Sequence, residues 1–336
     1  MSSPRASPRA PTPSSFGGTE GTSINFFPDL PPYSDPKTGF LSVLPKSWAP
    51  YAQLMCLDQP ANLCAYYFPY IIGLVYAACV APETPGPASI LKLAAILLPF
   101  NIILRGAVCT WNSTVDQHWD RCVSWARHRP VARGAVSTTQ ANIFYLVQIF
   151  LLYLFHKLAL LPPAATRHTI ASVIYFFNYS LVKRMMRNMR FLLGMAFGWA
   201  IFSATAMVHE NPFPYDKATI ALFGASVLWT IMYDTVYAHQ DTENDAEADS
   251  TMALVRVLSA GQVGLLGLCG MWAGFGLVYF IGTVGGVAGV MAHYIYDVDL
   301  RLLESCGGWF HRQFWIVGAA FVAGFVGEYL LRLQYI

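Results

Sequence analysis

Two clusters of acidic and amide side chains stand where long apolar segments end, and their residue types indicate metal and phosphate chemistry. The first spans residues 112–120 and the second spans residues 234–245. Carboxylates held near a bilayer repel one another and lose hydration, so six of them gathered there require neutralisation. A divalent cation meets this requirement most simply. The predicted metal ligands are Asn112, Asp116, Asp120, Asp234, Asp241 and Asp245.

The spacing within each cluster has a geometric meaning. Residues four apart on a helix advance ~6 Å and rotate by only ~40°, so they share one face. The first cluster therefore forms one stripe, and the second forms another if the helix that holds Asp234 continues beyond the membrane surface. Two facing stripes hold magnesium ions through carboxylate oxygens, and magnesium completes its shell with phosphate oxygens. The implied ligand is a diphosphate.

Either cluster alone is explained equally well as a solvated acidic face. The two together favour a site, and a third element supports it. Lys183 follows Tyr179 by one helical turn, so the tyrosine can orient the ammonium toward a diphosphate oxygen. The neighbouring Arg187 and Arg190 are interpreted as basic anchors at the membrane surface.

Composition places these clusters in a membrane. Hydrophobic residues make up 55% of the 336 residues, charged residues only 12%, and the mean hydropathy is +0.43. This is too apolar for a soluble chain of that length and is typical of a polytopic membrane protein. A formal charge of +2, with no basic stretch interleaved with aromatics, excludes nucleic acid as a partner. The seven cysteines have no paired or zinc-type spacing and are interpreted as reduced packing residues.

The apolar segments predict an all-α fold with nine transmembrane helices, since about 20 residues cross the hydrocarbon core. The uncharged run between Arg256 and Asp297 is long enough for two of these crossings. The predicted spans are 62–82, 88–110, 140–161, 167–182, 191–209, 217–235, 254–275, 277–296 and 314–333.

This topology puts both acidic clusters on one face, which also holds sixteen of the 21 Lys and Arg residues if Arg105 is counted there. The excess of basic residues predicts that this face is cytosolic or matrix-like. Residues 1–45 are rich in Ser, Pro and Gly and are predicted to be a disordered cytosolic tail, because the prolines oppose an amphipathic transit helix. Residues 46–336 are predicted to form the membrane domain.

Three stretches in combination resemble the UbiA superfamily of intramembrane prenyltransferases, and within it eukaryotic 4-hydroxybenzoate polyprenyltransferases. The likeness extends from near Pro50 to the end of the chain. The stretches are Asn112-xxx-Asp116-xxx-Asp120 followed by Arg127-His-Arg129-Pro-Val-Ala-Arg133-Gly, then Tyr179-xxx-Lys183, and then Tyr233-Asp234-Thr-Val-Tyr237-Ala-His239-Gln240-Asp241.

The resemblance implies a nine-helix bundle in the lipid bilayer that binds an isoprenyl diphosphate and an aromatic acceptor, with Mg²⁺ as the cofactor. Diphosphate departure gives an allylic carbocation, which an electron-rich ring carbon attacks. Candidate walls of the prenyl cavity are Tyr66, Tyr67, Phe68 and Tyr70, although such aromatic runs more often serve packing. The resemblance assigns catalysis to Asp116, Asp120, Asp241 and Asp245, and substrate binding to Asn112, Arg127, Arg129, Tyr179, Lys183, Arg184, Tyr233, His239 and Gln240.

Departures from the ubiquinone-pathway pattern bear on the substrate. Those enzymes typically carry Arg-x-Asp-Lys-Pro-x-Gly-Thr where this chain has Cys56-Leu-Asp58-Gln59-Pro60-Ala-Asn62-Leu63, so the arginine that helps hold an acceptor is missing. The stretch Tyr66-Tyr-Phe-Pro-Tyr is more similar to fungal secondary-metabolite members. The leading prediction is transfer of a farnesyl or similar group to a phenolic or pyrone polyketide carbon in meroterpenoid biosynthesis, in the endoplasmic reticulum membrane.

Three alternatives stay open at this point. The nearest is a 4-hydroxybenzoate polyprenyltransferase of the mitochondrial inner membrane, and the next is a membrane terpene cyclase that uses the same diphosphate chemistry. A transporter is the alternative from a different class, because membrane carboxylates also mark ion pathways. It is disfavoured because the acidic residues cluster at helix ends on one face. Glu328 is the main exception.

Overall fold

A computed structural model describes residues 34, 36–37, 39–59, 62–122, 126–159, 161–183, 190–209, 215–239 and 245–334. In this part of the chain the regular structure is helical and contains no strand. The α-helices are α1 (Ala49–Leu54), α2 (Leu63–Val80), α3 (Pro87–Val115), α4 (Gln117–Asp120), α5 (Thr138–Leu158), α6 (Pro163–Val182), α7 (Arg190–Gly198), α8 (Ala200–Val208), α9 (Lys217–Ala238), α10 (Asp245–Ala273), α11 (Leu277–Tyr279), α12 (Gly286–Asp297) and α13 (Leu303–Leu333).

Every predicted span overlaps a long helical segment of the described residues, which confirms the all-α membrane fold. Helices α7 and α8 together make one segment, and a π-helical stretch at Phe280–Gly285 joins α11 to α12 in another. Eight of the nine segments are long and apolar enough to cross a membrane. The exception is α6, whose sequence includes Arg167, His168 and Asn178 and is therefore more polar than its neighbours.

Helices α2 and α9 form the centre of the bundle. Two thirds of the most apolar window of each is buried, against about a fifth of that of α5. Helix α5 instead exposes large apolar side chains, including Ile143, Leu146 and Phe150. This outward apolar face suits a helix whose solvent is lipid, and it explains why the hydrophobic pattern alone does not distinguish inner from outer helices.

Small residues allow some helices to approach very closely. A Cβ placed on Gly73 of α2 would lie 2.9 Å from the Ile201 backbone of α8. A Cβ on Gly282 would lie 2.7 Å from the Cα of Gly324 on α13. Larger side chains at these positions would push the backbones apart, as expected where membrane helices associate through glycine contacts.

At the end of the bundle opposite the acidic clusters, one ion pair fixes the ends of three helices. Glu328 pairs with Arg332 one turn later on α13, with Nε and Oε1 3.6 Å apart. The Glu328 carboxylate also accepts the Gly276 N–H at 3.1 Å, and Arg332 donates to the carbonyl of Cys79 at the end of α2. Glu328 therefore has a structural role in the described residues, in agreement with its interpretation as a packing residue.

At the acidic end, α1 and residues 126–136 pack together as a small cap, and a short 3₁₀ helix at Phe40–Val43 precedes it within the predicted tail. The cap has its own hydrophobic cluster, which is separate from the main core. The Tyr51 ring of the cap also contacts the Phe144 ring of α5, with centroids 5.0 Å apart. The buried members of the cluster are Leu54, Val131, Val136 and Ala141.

Candidate active site at the acidic end

The first acidic cluster spans the junction between α3 and α4. Helix α3 ends at Val115, and Asp116 caps it with an N–H that donates to the Asn112 carbonyl at 2.9 Å. Helix α4 then runs to Asp120. The predicted stripe is therefore divided between two helices, yet Asp116 and Asp120 are both buried.

Lys183 lies against this cluster from the end of α6. Its ammonium donates to the Asn112 side-chain oxygen and to the Asp116 carboxylate, the latter at 2.5 Å. The Tyr179 ring lies one turn earlier, with its centroid 5.8 Å from the ammonium. The predicted association of Lys183 with the first cluster thus exists as a direct contact between α3 and α6.

Asp120 has a different cation. Arg129 of the cap donates to both of its carboxylate oxygens, at 3.0 and 3.3 Å. Burial raises the pKa of the Asp120 carboxyl above its ordinary value, and the charge of Arg129 opposes this shift only in part. Arg129 is held by the cap, whose backbone is tied to α4 through the hydrogen bond from Arg121 Nε to the Ala132 carbonyl at 3.0 Å.

Asp234, near the end of α9, pairs with Arg190 at the start of α7. The Arg190 Nε lies 3.4 Å from the carboxylate, and the same guanidinium donates to the hydroxyl of Thr235 at 3.3 Å. The interpretation of Arg190 as a surface anchor is therefore wrong. Spacing gave no signal for this contact, because the partners lie on different helices that only the fold brings together.

The expected continuous stripe in the second cluster is also wrong. Helix α9 ends at Ala238 with His239 as its cap, and Asp245 begins the next helix, α10. The chain reverses between these two helices because they pack against each other. Arg184, Gln240 and Asp241 lie outside the described residues, and the structure describes only the backbone of Asp245.

The remaining predicted substrate-binding residues are not brought to the ion pairs by any described contact. The Arg127 carbonyl accepts a hydrogen bond from Arg133 Nε at 2.9 Å, and its own buried Nε has no partner among the described residues. His239 is buried at the α9 terminus. Tyr233 is buried among aromatic rings, 4.8 Å from Phe314 by ring centroids.

An aromatic cluster extends from this site toward the middle of the bundle. The Tyr66 ring lies 5.5 Å from that of Phe176 and 4.8 Å from that of Phe197, and Phe197 lies 6.3 Å from Tyr233, all by ring centroids. Phe176 is two helical turns before Lys183, so the cluster begins about 10 Å deeper in the bundle than the ammonium. Tyr66 is thus the one predicted wall residue that stands beside the site.

The other three predicted wall residues pack elsewhere. The Tyr67 hydroxyl donates to the Ala94 carbonyl of α3 at 3.0 Å, and the Tyr70 ring contacts Phe100 with centroids 5.5 Å apart. Phe68 lies against α13, where it faces Trp315 with ring centroids 6.3 Å apart.

The donor set of the site consists of oxygens. Asn112, Asp116, Asp120 and Asp234 offer amide and carboxylate oxygens, the ligands that Mg²⁺ prefers. The side chains described fit magnesium by their chemistry, although they contain no group of three His, Cys, Asp or Glu residues close enough to hold a metal ion. Each of the three carboxylates is instead paired with Lys183, Arg129 or Arg190.

Comparison with known proteins agrees with this arrangement. Residues 66–325 match the UbiA prenyltransferase family. The chain belongs to this family. The transporter is thereby removed from the alternatives, and the chain is an integral membrane enzyme of the prenyltransferase class.

Among its relatives are fungal prenyltransferases. Prenyltransferase stbC of Stachybotrys bisbyi is 30% identical over 322 residues, covering 91% of this chain and 94% of the relative. Prenyltransferase ascA of Acremonium egyptiacum is 35% identical over 269 residues, covering 76% and 79%. The mitochondrial 4-hydroxybenzoate polyprenyltransferase of Saccharomyces cerevisiae is 30% identical over 312 residues, covering 88% and 80%.

The fold also has solved relatives. A UbiA homologue from Archaeoglobus fulgidus bound to GPP and Mg²⁺ superposes with a TM-score of 0.62 at 16% identity, covering 84% of this chain and 99% of the homologue. At that identity the likeness establishes the shared fold.

Proposed function

We propose that this enzyme transfers a farnesyl or similar prenyl group from an isoprenyl diphosphate to a ring carbon of an aromatic or pyrone polyketide. The observation that carries the proposal is the convergence of three cross-segment ion pairs, at Asp116, Asp120 and Asp234, at the mouth of an aromatic cluster. Charged groups for a diphosphate thus adjoin apolar rings for a prenyl chain.

The chain's own cations receive the diphosphate. Lys183 and Arg129 lie at the inner and outer parts of the first cluster, where their donors can turn from carboxylate to phosphate oxygens. Asn112, Asp116, Asp120 and Asp234 hold Mg²⁺ together with Asp241 and Asp245. When bound, magnesium neutralises the charge that develops on the leaving diphosphate.

Bond changes then follow from the placement of these groups. The bond between the prenyl C1 and the diphosphate oxygen breaks, and its electron pair leaves with the diphosphate. A ring carbon of the acceptor forms the new carbon–carbon bond, and the proton on that carbon is lost to restore aromaticity. The Tyr66, Phe176 and Phe197 rings exclude water and place electron-rich faces beside the allylic cation.

The fungal relatives support a polyketide acceptor and the endoplasmic reticulum as the location. A DMOA farnesyltransferase from Aspergillus novofumigatus is 30% identical over 303 residues, covering 87% of this chain. The yeast relative supports a second candidate, a mitochondrial 4-hydroxybenzoate polyprenyltransferase, at similar identity. Cyclisation of the donor by the same diphosphate chemistry is the third.

One assay separates the three candidates. Membranes containing the full chain are incubated with magnesium, with geranyl, farnesyl or geranylgeranyl diphosphate, and with either a resorcylic acid or 4-hydroxybenzoate, and the products are measured by mass spectrometry. We expect a farnesylated resorcylic acid. A prenylated 4-hydroxybenzoate as the main product supports the second candidate, and a hydrocarbon or alcohol formed without acceptor supports cyclisation.

The location is tested separately. A fluorescent fusion is expected to label the endoplasmic reticulum. Rescue of a ubiquinone-deficient yeast strain by the untagged chain, together with mitochondrial labelling, contradicts the polyketide proposal and supports the 4-hydroxybenzoate enzyme.

A further inference from the structure

Arg105 is a buried cation within a membrane-spanning helix. It lies ten residues before the end of α3, in a segment apolar enough to cross the bilayer, and only 3% of its surface is exposed. An arginine in such a position is costly unless an anion or several acceptors satisfy it. Counting it among the surface charges of the acidic face is therefore wrong, because it lies inside the bundle.

The described residues satisfy only a small part of its capacity. The Arg105 Nη2 donates to the Gln59 carbonyl at 2.8 Å, whereas a guanidinium has five N–H donors. Among the residues the structure describes, no carboxylate lies within 4.0 Å of it. The cation is thus placed without a close protein counter-ion in the described part of the bundle.

Asp58 is the nearby acidic residue, and it is not a tight partner. Burial raises the pKa of the Asp58 carboxyl above its ordinary value, and the charges of Arg105 and Arg129 only partly oppose that shift. A carboxylate in close contact with an arginine would have a lowered pKa instead. Arg105 therefore retains charge that a further anion can use.

Its position relative to the site is set by the contact between Lys183 and Asn112. Seven residues before Asn112 on α3 is Arg105, and seven residues before Lys183 on α6 is Phe176. Each step of seven is two helical turns, about 10 Å, on nearly the same helix face. Both residues thus lie at one depth, immediately inside the ion pair.

Tyr66 of α2 connects them. Its ring stacks on Phe176, with centroids 5.5 Å apart, and its hydroxyl is close enough to Arg105 for electrostatic interaction. Cys109 lies one turn from Arg105 toward the acidic end, where its side chain is hydrogen-bonded to Cys56. A planar ring beside Tyr66 would accordingly have aromatic neighbours on one side and a guanidinium on the other.

We propose that Arg105 binds the carboxylate of the acceptor and thereby selects an acidic phenol, such as a hydroxybenzoic or resorcylic acid, over the same ring without the acid group. This rests on the proposed prenyl transfer to an aromatic acceptor. The planar fork of the guanidinium suits bidentate recognition of a carboxylate. Arg105 is in this role a specificity-determining residue, which orients the ring toward the prenyl C1 below the diphosphate.

The test compares two acceptors in wild type, Arg105→Gln and Arg105→Lys: a dihydroxybenzoic acid and the corresponding dihydroxybenzene. Wild type is expected to prefer the acid. Arg105→Gln should raise the KM for the acid by about tenfold to a hundredfold, as for loss of a charge-assisted hydrogen bond. The KM for the prenyl diphosphate and the kcat/KM for the dihydroxybenzene should stay unchanged, and Arg105→Lys should restore part of the preference.

Arg332→Gln is the matched control, because it removes a cation that binds backbone and carboxylate groups at the opposite end. It should leave the preference between the two acceptors intact. Equal losses with both acceptors in Arg105→Gln, or a wild type without preference for the acid, would overturn the proposal.

A binding measurement covers the case in which Arg105→Gln folds poorly or turnover is absent. The acid should raise the melting temperature of purified wild type and of Arg105→Lys, and the dihydroxybenzene should raise it less. If the acid stabilises the protein through Arg105 but no prenylated product forms, the proposed reaction fails while carboxylate binding holds. If product forms and the acid gives no more stabilisation than the dihydroxybenzene, the role of Arg105 fails alone.

Discussion

The two ends of the bundle both contain buried ion pairs, but the pairs are built differently. At the opposite end, Glu328 and Arg332 lie one turn apart on α13, and their other hydrogen bonds go to the backbone at Gly276 and Cys79. At the acidic end, each pair joins side chains from separate segments: α3 with α6, α4 with the cap, and α9 with α7.

The difference indicates what each set of charges does. A side chain that satisfies backbone groups cannot leave without exposing them, so it fixes helix ends. Side chains that pair across segments can exchange partners when a ligand of the right charge arrives, and the total number of charge contacts is conserved. Burial and pairing therefore occur at both ends, whereas the identity of the partners distinguishes a candidate site from a structural staple.

The sharpest way to break this comparison is to neutralise one carboxylate at each end. Asp116→Asn is expected to lower turnover by about a hundredfold to a thousandfold, the effect of removing one preorganised electrostatic group from a transition state. Glu328→Gln should leave turnover per folded molecule nearly unchanged. Activity is measured with purified protein normalised by size-exclusion chromatography, and comparable losses in both variants would contradict the distinction.

The next comparison concerns the cations. Lys183→Met should raise the KM for the prenyl diphosphate by about tenfold to a hundredfold, because a charge-assisted contact to phosphate is lost. Arg332→Met should leave that KM unchanged. Steady-state kinetics at saturating acceptor measures both, and an unchanged KM in Lys183→Met would mean that the lysine only neutralises Asp116.

A double-mutant cycle on Arg190 and Asp234 tests a pair that is partly exposed. Arg190→Gln, Asp234→Asn and the double variant should give a coupling free energy of up to about 1 kcal/mol for the melting of the purified protein, since both side chains retain contact with solvent. A coupling near zero would show that the two charges are placed by ligand binding and not by each other.

Metal removal should have the smallest effect on stability. Excess chelator is expected to abolish turnover and to leave the melting temperature unchanged, because Lys183, Arg129 and Arg190 already neutralise the three described carboxylates. Undiminished activity in chelator contradicts the magnesium proposal. A large fall in melting temperature instead indicates that the metal is part of the fold.

Much of the fold was predictable because each span has the length and apolarity of a membrane crossing, even where Gly274 and Gly276 alone mark the boundary between two of them. Pairing across helices was less accessible. The contact of Lys183 with the first cluster follows from the residue types, since opposite charges at the ends of neighbouring helices attract. The Arg190 partner and the depth of Arg105 do not, because local spacing contains no information about which helices adjoin.

The turn after α9 shows a second limit. A spacing of seven and four predicts a shared helix face for Asp234, Asp241 and Asp245 only while the helix continues, and α9 ends at Ala238. A polar stretch rich in acidic residues is compatible with both a helix and a reversal. The packing of α10 against α9 decides for the reversal.

The cap has a consequence for how the protein loses activity on heating. Its four buried apolar residues form a cluster apart from the main core, so α1 and residues 126–136 have few of the contacts that hold α2 and α9. Such a segment opens locally at a lower free energy than the bundle, and its backbone amides exchange with solvent sooner. Because Arg129 belongs to this segment, its hold on Asp120 ends when the cap opens. Inactivation by heat should therefore precede the melting of the membrane helices and be reversible on cooling.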